Sequence, residues 1–208
     1  MSKSFVALGS AGAAGCAGAA GVVYWKSSNS EEPSVSLEER FRKEIKGKVL
    51  LDVSGSSHDA VWGELVKEYQ AAYKDKTDLL GLSKDGLDKE KFKDYCKRES
   101  QVTEEKRFSV YVEWCSRNTL RTQFNDKVAN KTWIDSQEEK DWSDKKSKYP
   151  QDNSGKLQIP NGGESGSVIE QSKVTWQQIR DWCSSKVEIP FVNGSDDDYK
   201  RAEALCTK

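Results

Sequence analysis

The sequence offers little from which to build a catalytic site. Among its 208 residues there is one histidine, His58, and one methionine. No Cys-x-x-Cys pair occurs, and a single imidazole cannot complete a zinc ligand set. There is no HExxH run and no glycine-rich phosphate loop, which removes the metalloprotease and nucleotide-binding readings those motifs carry. Charge of one sign is missing as well. The chain has 33 Lys and Arg against 34 Asp and Glu, interspersed, for a formal net charge of -1. Such a surface has no basic stripe for nucleic acid and no polybasic patch for anionic lipid. Long apolar runs are absent too, with one exception.

The exception is Phe5–Trp25, which carries no charge at all. As a helix it would span ~30 Å, about one hydrocarbon core. Gly9, Ala13, Ala17 and Gly21 fall four apart and form a small-residue stripe of the kind that lets membrane helices approach closely. Tyr24 and Trp25 close the run where interfacial aromatics sit. Residues 1–26 therefore read as a membrane anchor or a signal segment. The leading reading is an uncleaved single-pass anchor at the cell membrane. It meets the lipid bilayer through residues 5–25 and leaves the body extracellular. A cleaved secretory signal competes, with Ala17-Gly18-Ala19 as a site. So does a lipoprotein with Cys16 lipidated after Ala14-Gly15, although Ala13 stands where a lipobox has Leu. All three put the body outside the cytoplasmic membrane, whereas a buried core helix would need no membrane.

Residues 27–33 form a Ser/Glu/Pro spacer. After it, Ser36 and Glu39 make a capping box, Leu37, Phe41 and Ile45 share a helical face, and Gly47 stops the helix. Lys48–Val53 reads as extended. Trp62, Leu65, Val66, Tyr69 and Tyr73 mark a helix over Asp59–Tyr73. Further helices are expected over Asp88–Cys96 and Thr103–Cys115.

The pattern then repeats. A shift of 83 residues carries Ser36, Leu37, Phe41 and Ile45 onto Thr119, Leu120, Phe124 and Val128, and Leu50-Leu51-Asp52 onto Trp133-Ile134-Asp135. Trp62 and Tyr69 match Trp142 and Tyr149, Asp94-Tyr95-Cys96 matches Asp181-Trp182-Cys183, and Trp114-Cys115 matches Leu205-Cys206. The expected fold is mainly α-helical. It consists of two tandem related helical units, 34–116 and 117–208, each with a short extended segment, preceded by the N-terminal apolar helix. The stretch Asn153–Gly166 of the second unit reads as a long polar loop.

The Ala/Gly anchor, the Leu-Leu-Asp…Trp…Tyr block and the recurrent Tyr/Trp-Cys ends resemble the large paralogous families of uncharacterised proteins of haemotropic mycoplasmas. The resemblance covers the layout of the whole chain, through short motifs. It implies an exported, lineage-restricted protein at the host-facing surface. It supplies no activity, no fold and no functional residue.

Duplication also selects among the three pairings that four cysteines allow. A unit that once stood alone had to satisfy its own cysteines, so Cys96 is expected with Cys115 and Cys183 with Cys206. Four buried free thiols are the alternative. His58 reads as a surface histidine beside a helix start, Asp52 and Asp135 as caps of equivalent turns, and Asp196-Asp197-Asp198 as helix capping rather than a calcium loop. Asn130-Lys131-Thr132 and Asn193-Gly194-Ser195 match the glycosylation pattern by chance in a bacterial chain. No catalytic, metal-binding or cofactor-binding residue is assigned, and no cofactor is implied. The function expected is that of a non-enzymatic, membrane-tethered surface protein, in host interaction or as a variable antigen. Its partners would be the bilayer, a host protein or cell surface, and a second copy through the N-terminal helix. An extracellular enzyme and a self-associating envelope component are the alternatives. Replacing Gly9, Ala13, Ala17 and Gly21 with Leu is expected to abolish stripe-driven self-association; unchanged crosslinking in membranes would discard the stripe.

Overall fold

Ser36 opens the first helix, α1 (Leu37–Glu44), through a full capping box. Its hydroxyl accepts from the Glu39 N–H at 3.2 Å, and Glu39 Oε2 accepts from the Ser36 N–H at 3.3 Å. Glu38 and Glu39 lie in the first turn and Arg42 and Lys43 in the last, each sign at the favourable end of the helix dipole. Gly47 turns the chain at φ +72°, and a Cβ there would stand 2.4 Å from Thr122 Oγ1. The turn therefore requires glycine for conformation and for space. Beyond it, β1 (Lys48–Leu50) pairs antiparallel with β2 (Ser116–Asn118), Lys48 opposite Asn118 and Leu50 opposite Ser116. Between them come α2 (Asp59–Ala72), α3 (Lys89–Glu99, capped by Asp88) and α4 (Phe108–Trp114). The helix expected over 103–115 is shorter. Glu105–Arg107 forms a 3-10 turn, because this charged stretch has no side-chain cap and no apolar residue to bury until Phe108.

This computed structural model describes residues 35–72, 80–83, 85–162 and 166–208. The anchor, Cys16, the small-residue stripe, the spacer and Tyr73 lie outside the described residues. Among the described residues the protein is mainly helical, with eight α-helices and one two-stranded sheet. No described helix is long and apolar enough to cross a membrane.

Two hydrophobic cores sit within one compact body, residues 34–208. Phe92 centres the first, with the rings of Tyr69, Trp62 and Trp114 at 5.7, 5.9 and 6.0 Å between centroids. The second is enclosed by α5 (Leu120–Lys127, capped by Thr119), α6 (Glu139–Ser147), α7 (Trp176–Lys186, capped by Thr175) and α8 (Asp197–Cys206, capped by Asp196). Its buried members include Phe124, Trp133, Trp142, Tyr149 and Ile179. Helix α6 buries Trp142 alone, so its place depends on one indole. The stretch expected as a polar loop is a mostly exposed loop among the described residues, but it is pinned at one point. Gln158 and Ile159 are buried, the Ile159 N–H donates to Tyr149 Oη at 2.6 Å, and Arg201 donates to the Gln158 and Lys156 carbonyls at 2.8 and 2.7 Å. Side chains satisfy the backbone there, which permits burial without regular structure.

Backbone contacts of the first half recur in the second. The Leu37 N–H donates to the Val102 carbonyl at 2.8 Å, and the Leu120 N–H to that of Ile189 at 2.9 Å. The Leu51 N–H reaches the Cys115 carbonyl at 3.1 Å, and the Ile134 N–H that of Cys206 at 2.8 Å. Leu50 pairs with Ser116, and Trp133 bridges Thr207. The indole N–H of Trp62 donates to the Asp52 carbonyl and that of Trp142 to the Ser136 carbonyl, both at 2.9 Å. Tyr69 Oη accepts from the Leu80 N–H, as Tyr149 Oη does from Ile159.

The halves meet at β2. The Thr119 N–H donates to the Gly47 carbonyl at 3.0 Å, and the Phe191 N–H to that of Asn118 at 2.9 Å. Arg117 reaches the Phe191 and Val192 carbonyls at 3.2 and 3.3 Å and grips Glu68 with both terminal nitrogens, at 2.8 and 2.5 Å. The side chain of Val192 packs against the first core.

Disulfides join Cys96 to Cys115 and Cys183 to Cys206, with Cα atoms 5.5 Å apart in both and sequence separations of 19 and 23. Each ties the last two helices of its half. Loops of this length constrain the unfolded chain by about 3 kcal/mol apiece. C183A/C206A should therefore lower the unfolding free energy by about that amount, and C96A/C115A by a similar amount, read from urea midpoints. Midpoints unmoved by either double change would mean the bonds do not form.

Candidate functional site

The turn that follows β1 is held by its own side chains. Asp52 Oδ1 accepts from the Ser54 and Gly55 N–H groups, both at 2.9 Å, and Oδ2 from the Ser57 hydroxyl at 2.7 Å. A Cβ on Gly55 would meet Asp52 Oδ2 at 2.5 Å, so glycine is what lets the carboxylate close the turn. The Asp52 N–H donates to His58 Nδ1 at 2.8 Å. From outside, the buried Lys93 ammonium fixes the turn to α2, donating to the Gly55 carbonyl at 2.9 Å and to Asp59 at 2.7 Å. Asp59 also receives Lys89, which with Lys93 holds its carboxyl below the usual range.

A cleft of about 240 Å³ opens beside this turn. Asp52, Ser54 and His58 form one side. Glu38 and Arg42, paired at 2.7 Å, come from α1, Ser100 from the end of α3 and Tyr111 from the middle of α4. Leu50, Leu51, Val53 and Cys96 supply the apolar wall. Because Nδ1 of His58 accepts the Asp52 N–H, the neutral ring carries its proton on Nε2. That N–H finds no protein acceptor among the described residues, nor does the hydroxyl of Tyr111 make a hydrogen bond there, although Tyr111 is only 3% exposed.

The electrostatics separate the groups. The Ser54 N–H, the Ser57 hydroxyl and the Gly55 N–H hold the Asp52 carboxyl down at about 2. Burial pushes Tyr111 up to about 12, and the Glu38 charge adds to it. Burial lowers His58 from 6.5 against the opposing pull of Asp52. Asp52 thus stays ionised and Tyr111 protonated across neutral pH, and neither is poised to exchange a proton with a substrate. No Ser, Thr or Cys is hydrogen-bonded to His58 among the described residues. What remains is a set of fixed donors and acceptors suited to holding a group in place.

The residues singled out in the sequence fall in several places. The four cysteines are spent in the two disulfides. Asp52 caps its turn, but Asp135 does not. It is exposed and lies 3.4 Å from Arg121, while the next residue, Ser136, accepts the Glu138 N–H and donates to Asp141. One residue of slippage at the end of the apolar run moves the cap. Asp196 caps α8, Asp197 pairs with Lys156, and Asp198 pairs with Lys186 and Arg201. His58 differs from the surface residue expected: it is half-buried and structural. No motif announces this, since its partner is a backbone N–H. Tyr111 reads in the sequence only as core, and its free hydroxyl has no sequence signal. Among the described residues no three His, Cys, Asp or Glu side chains gather as a metal-binding group.

Comparison with family models, with characterised proteins and with solved structures gives no match.

His58 gives this turn a pH dependence. Its folded pKa lies below the unfolded value of 6.5, so the unfolded chain takes up the proton first. The stability it contributes is complete above 6.5 and is lost as pH falls through the folded value. Asp52 acts lower, its contribution present above 3.8 and lost as pH falls through about 2. Urea midpoints should therefore decline on going from pH ~7 to ~5 in the native protein and flatten in His58→Asn, whose amide oxygen can still accept the Asp52 N–H.

Proposed function

We propose that this chain is a membrane-tethered surface protein whose body, from Lys26 onward, lies outside the cell and acts by binding rather than by catalysis. The observation that carries the reading is the pair of buried disulfides in a body that directly follows an uncharged, membrane-length segment. Disulfides persist where the compartment is oxidising, and an apolar leader is the route to such a compartment. The host-facing role implied by the resemblance to the mycoplasma families belongs to the same proposal. So does self-association through the Gly9–Gly21 stripe.

The two halves are, in this reading, a tandem duplication, 34–116 and 117–208. Support comes from the recurring backbone contacts, which use residues in the same order in both halves, and from disulfides at the same point of each. A frame held by local cross-links and caps tolerates change elsewhere, which suits a protein exposed to varying surroundings. The cleft chemistry supports binding over turnover, since its carboxylate and phenol are held far from neutral pKa values.

Surface proteolysis of intact cells, followed by mass spectrometry, tests the topology. Peptides from the body should be lost and the segment 5–25 protected. A mature N-terminus beyond residue 15, or an acylated Cys16, would overturn the retained anchor; a fully protected body would overturn the surface location.

A further inference from the structure

We propose that the cleft between the Asp52–His58 turn, α1 and α4 is a binding site for a small uncharged polyhydroxyl ligand, of the class of a single sugar unit. The inference concerns the cleft alone and stands or falls independently of where the body sits. The first observation is the pair of donors left unused. The Nε2–H of His58 and the hydroxyl of Tyr111 both belong to residues that line the cleft, and neither has a protein partner among the described residues. Tyr111 is 3% exposed as a residue, yet its hydroxyl is not cut off from solvent and opens onto the cleft. Both donors are therefore free to meet a ligand there.

The second observation is that acceptors stand beside those donors. Asp52 is held ionised by its turn, and the Glu38 carboxyl is paired with Arg42. An anion entering the cleft would meet two carboxylates. A cation would meet an imidazole N–H, a phenol O–H and a guanidinium. A hydroxyl both donates and accepts, so a ligand bearing several of them can use both kinds of group at once. Leu50, Leu51 and Val53 offer an apolar wall for its C–H face. The volume of about 240 Å³ lies just below the ~300 Å³ at which drug-sized sites begin, which limits the occupant to one small unit.

The second half supplies an internal comparison. Where the first half has Leu50, Ser100 and Tyr111, the recurring contacts place Trp133, Val187 and Ala202. Both hydroxyls are gone there, and the leucine is replaced by an indole packed 6.1 Å from Phe124 and only 3% exposed. The frame thus stands there without either hydroxyl. The donors of the first half are not required to build it.

Because His58 is the sole histidine, its ring resonances report on the cleft without ambiguity. The full chain, labelled at histidine and held in detergent, would be titrated with glucose, galactose and N-acetylglucosamine. Glucosamine and glucuronate serve as cationic and anionic counterparts. Neutral sugars are expected to shift the His58 signals saturably, and Tyr111→Phe, which removes only the hydroxyl, to weaken that binding about tenfold. The charged counterparts are expected to bind more weakly. An unchanged fold in Tyr111→Phe is checked by the backbone spectrum. If that variant fails to fold, Ser54→Ala and Arg42→Gln replace it, with the same weakening expected of at least one. No saturable shift with any neutral sugar, tighter binding of a charged probe, or affinity untouched in every folded variant would overturn the proposal.

Discussion

The pairing of β1 with β2 lies where the chain passes from its first core to its second, and both cores depend on it. Ser116–Asn118 leaves the Cys115 disulfide and runs directly into the Thr119 cap, so three residues close one half and open the other. The polar groups of this stretch are used on both sides of the junction. The Ser116 hydroxyl bonds to the Val112 carbonyl at 2.6 Å, Arg117 holds two carbonyls of the second half and a carboxylate of the first, and Asn118 accepts from Phe191. Buried backbone groups are expensive to strip of partners, so the halves cannot separate without exposing all of them together. The body is therefore not two beads on a string, although each half has its own core.

Much of this frame was legible because it rests on local rules. Ser36 and Glu39 announce a capping box, Leu37 and Phe41 the buried face behind it, and Trp62 to Tyr69 the stripe of α2. The cysteine pairing was legible because the recurring sequence pattern groups Cys96 with Cys115 and Cys183 with Cys206. Features that depend on distant partners were not legible. Gln158 and Ile159 are buried because Tyr149 and Arg201 come to them from other elements, which a run of Ser, Gly, Asn and Gln does not disclose. The cleft was invisible for a related reason. Tyr111 follows the helical stripe of a core residue, and only the packed structure leaves its hydroxyl facing open space.

The two halves also solve one problem with exchanged chemistry. In the first, the acid Asp52 comes early and the hydroxyl of Ser57 donates to it; in the second, Ser136 comes early and donates to Asp141. Donor and acceptor trade places across the same five-residue span, and in both cases an indole N–H seals the carbonyl of the leading residue. What the fold demands at that turn is a short hydrogen bond over the tryptophan, not a particular residue. Side chains off this frame differ between the halves: Tyr111 lines a cleft in the first, and Trp133 packs beside Phe124 in the second.

The disulfides are local, and that governs how the chain responds to being cut. Their two loops, 96–115 and 183–206, neither overlap nor enclose one another. A protease that nicks the exposed 3-10 turn at Glu105–Arg107 leaves both fragments covalently joined through Cys96 and Cys115. A nick in the exposed stretch at 151–156 has no such bond across it, and the pieces are then held by the shared second core and by backbone bonds such as Ile134 to Cys206 and Phe191 to Asn118. A cut in one exposed segment is thus bridged by a covalent bond, and a cut in the other by packing and hydrogen bonds alone.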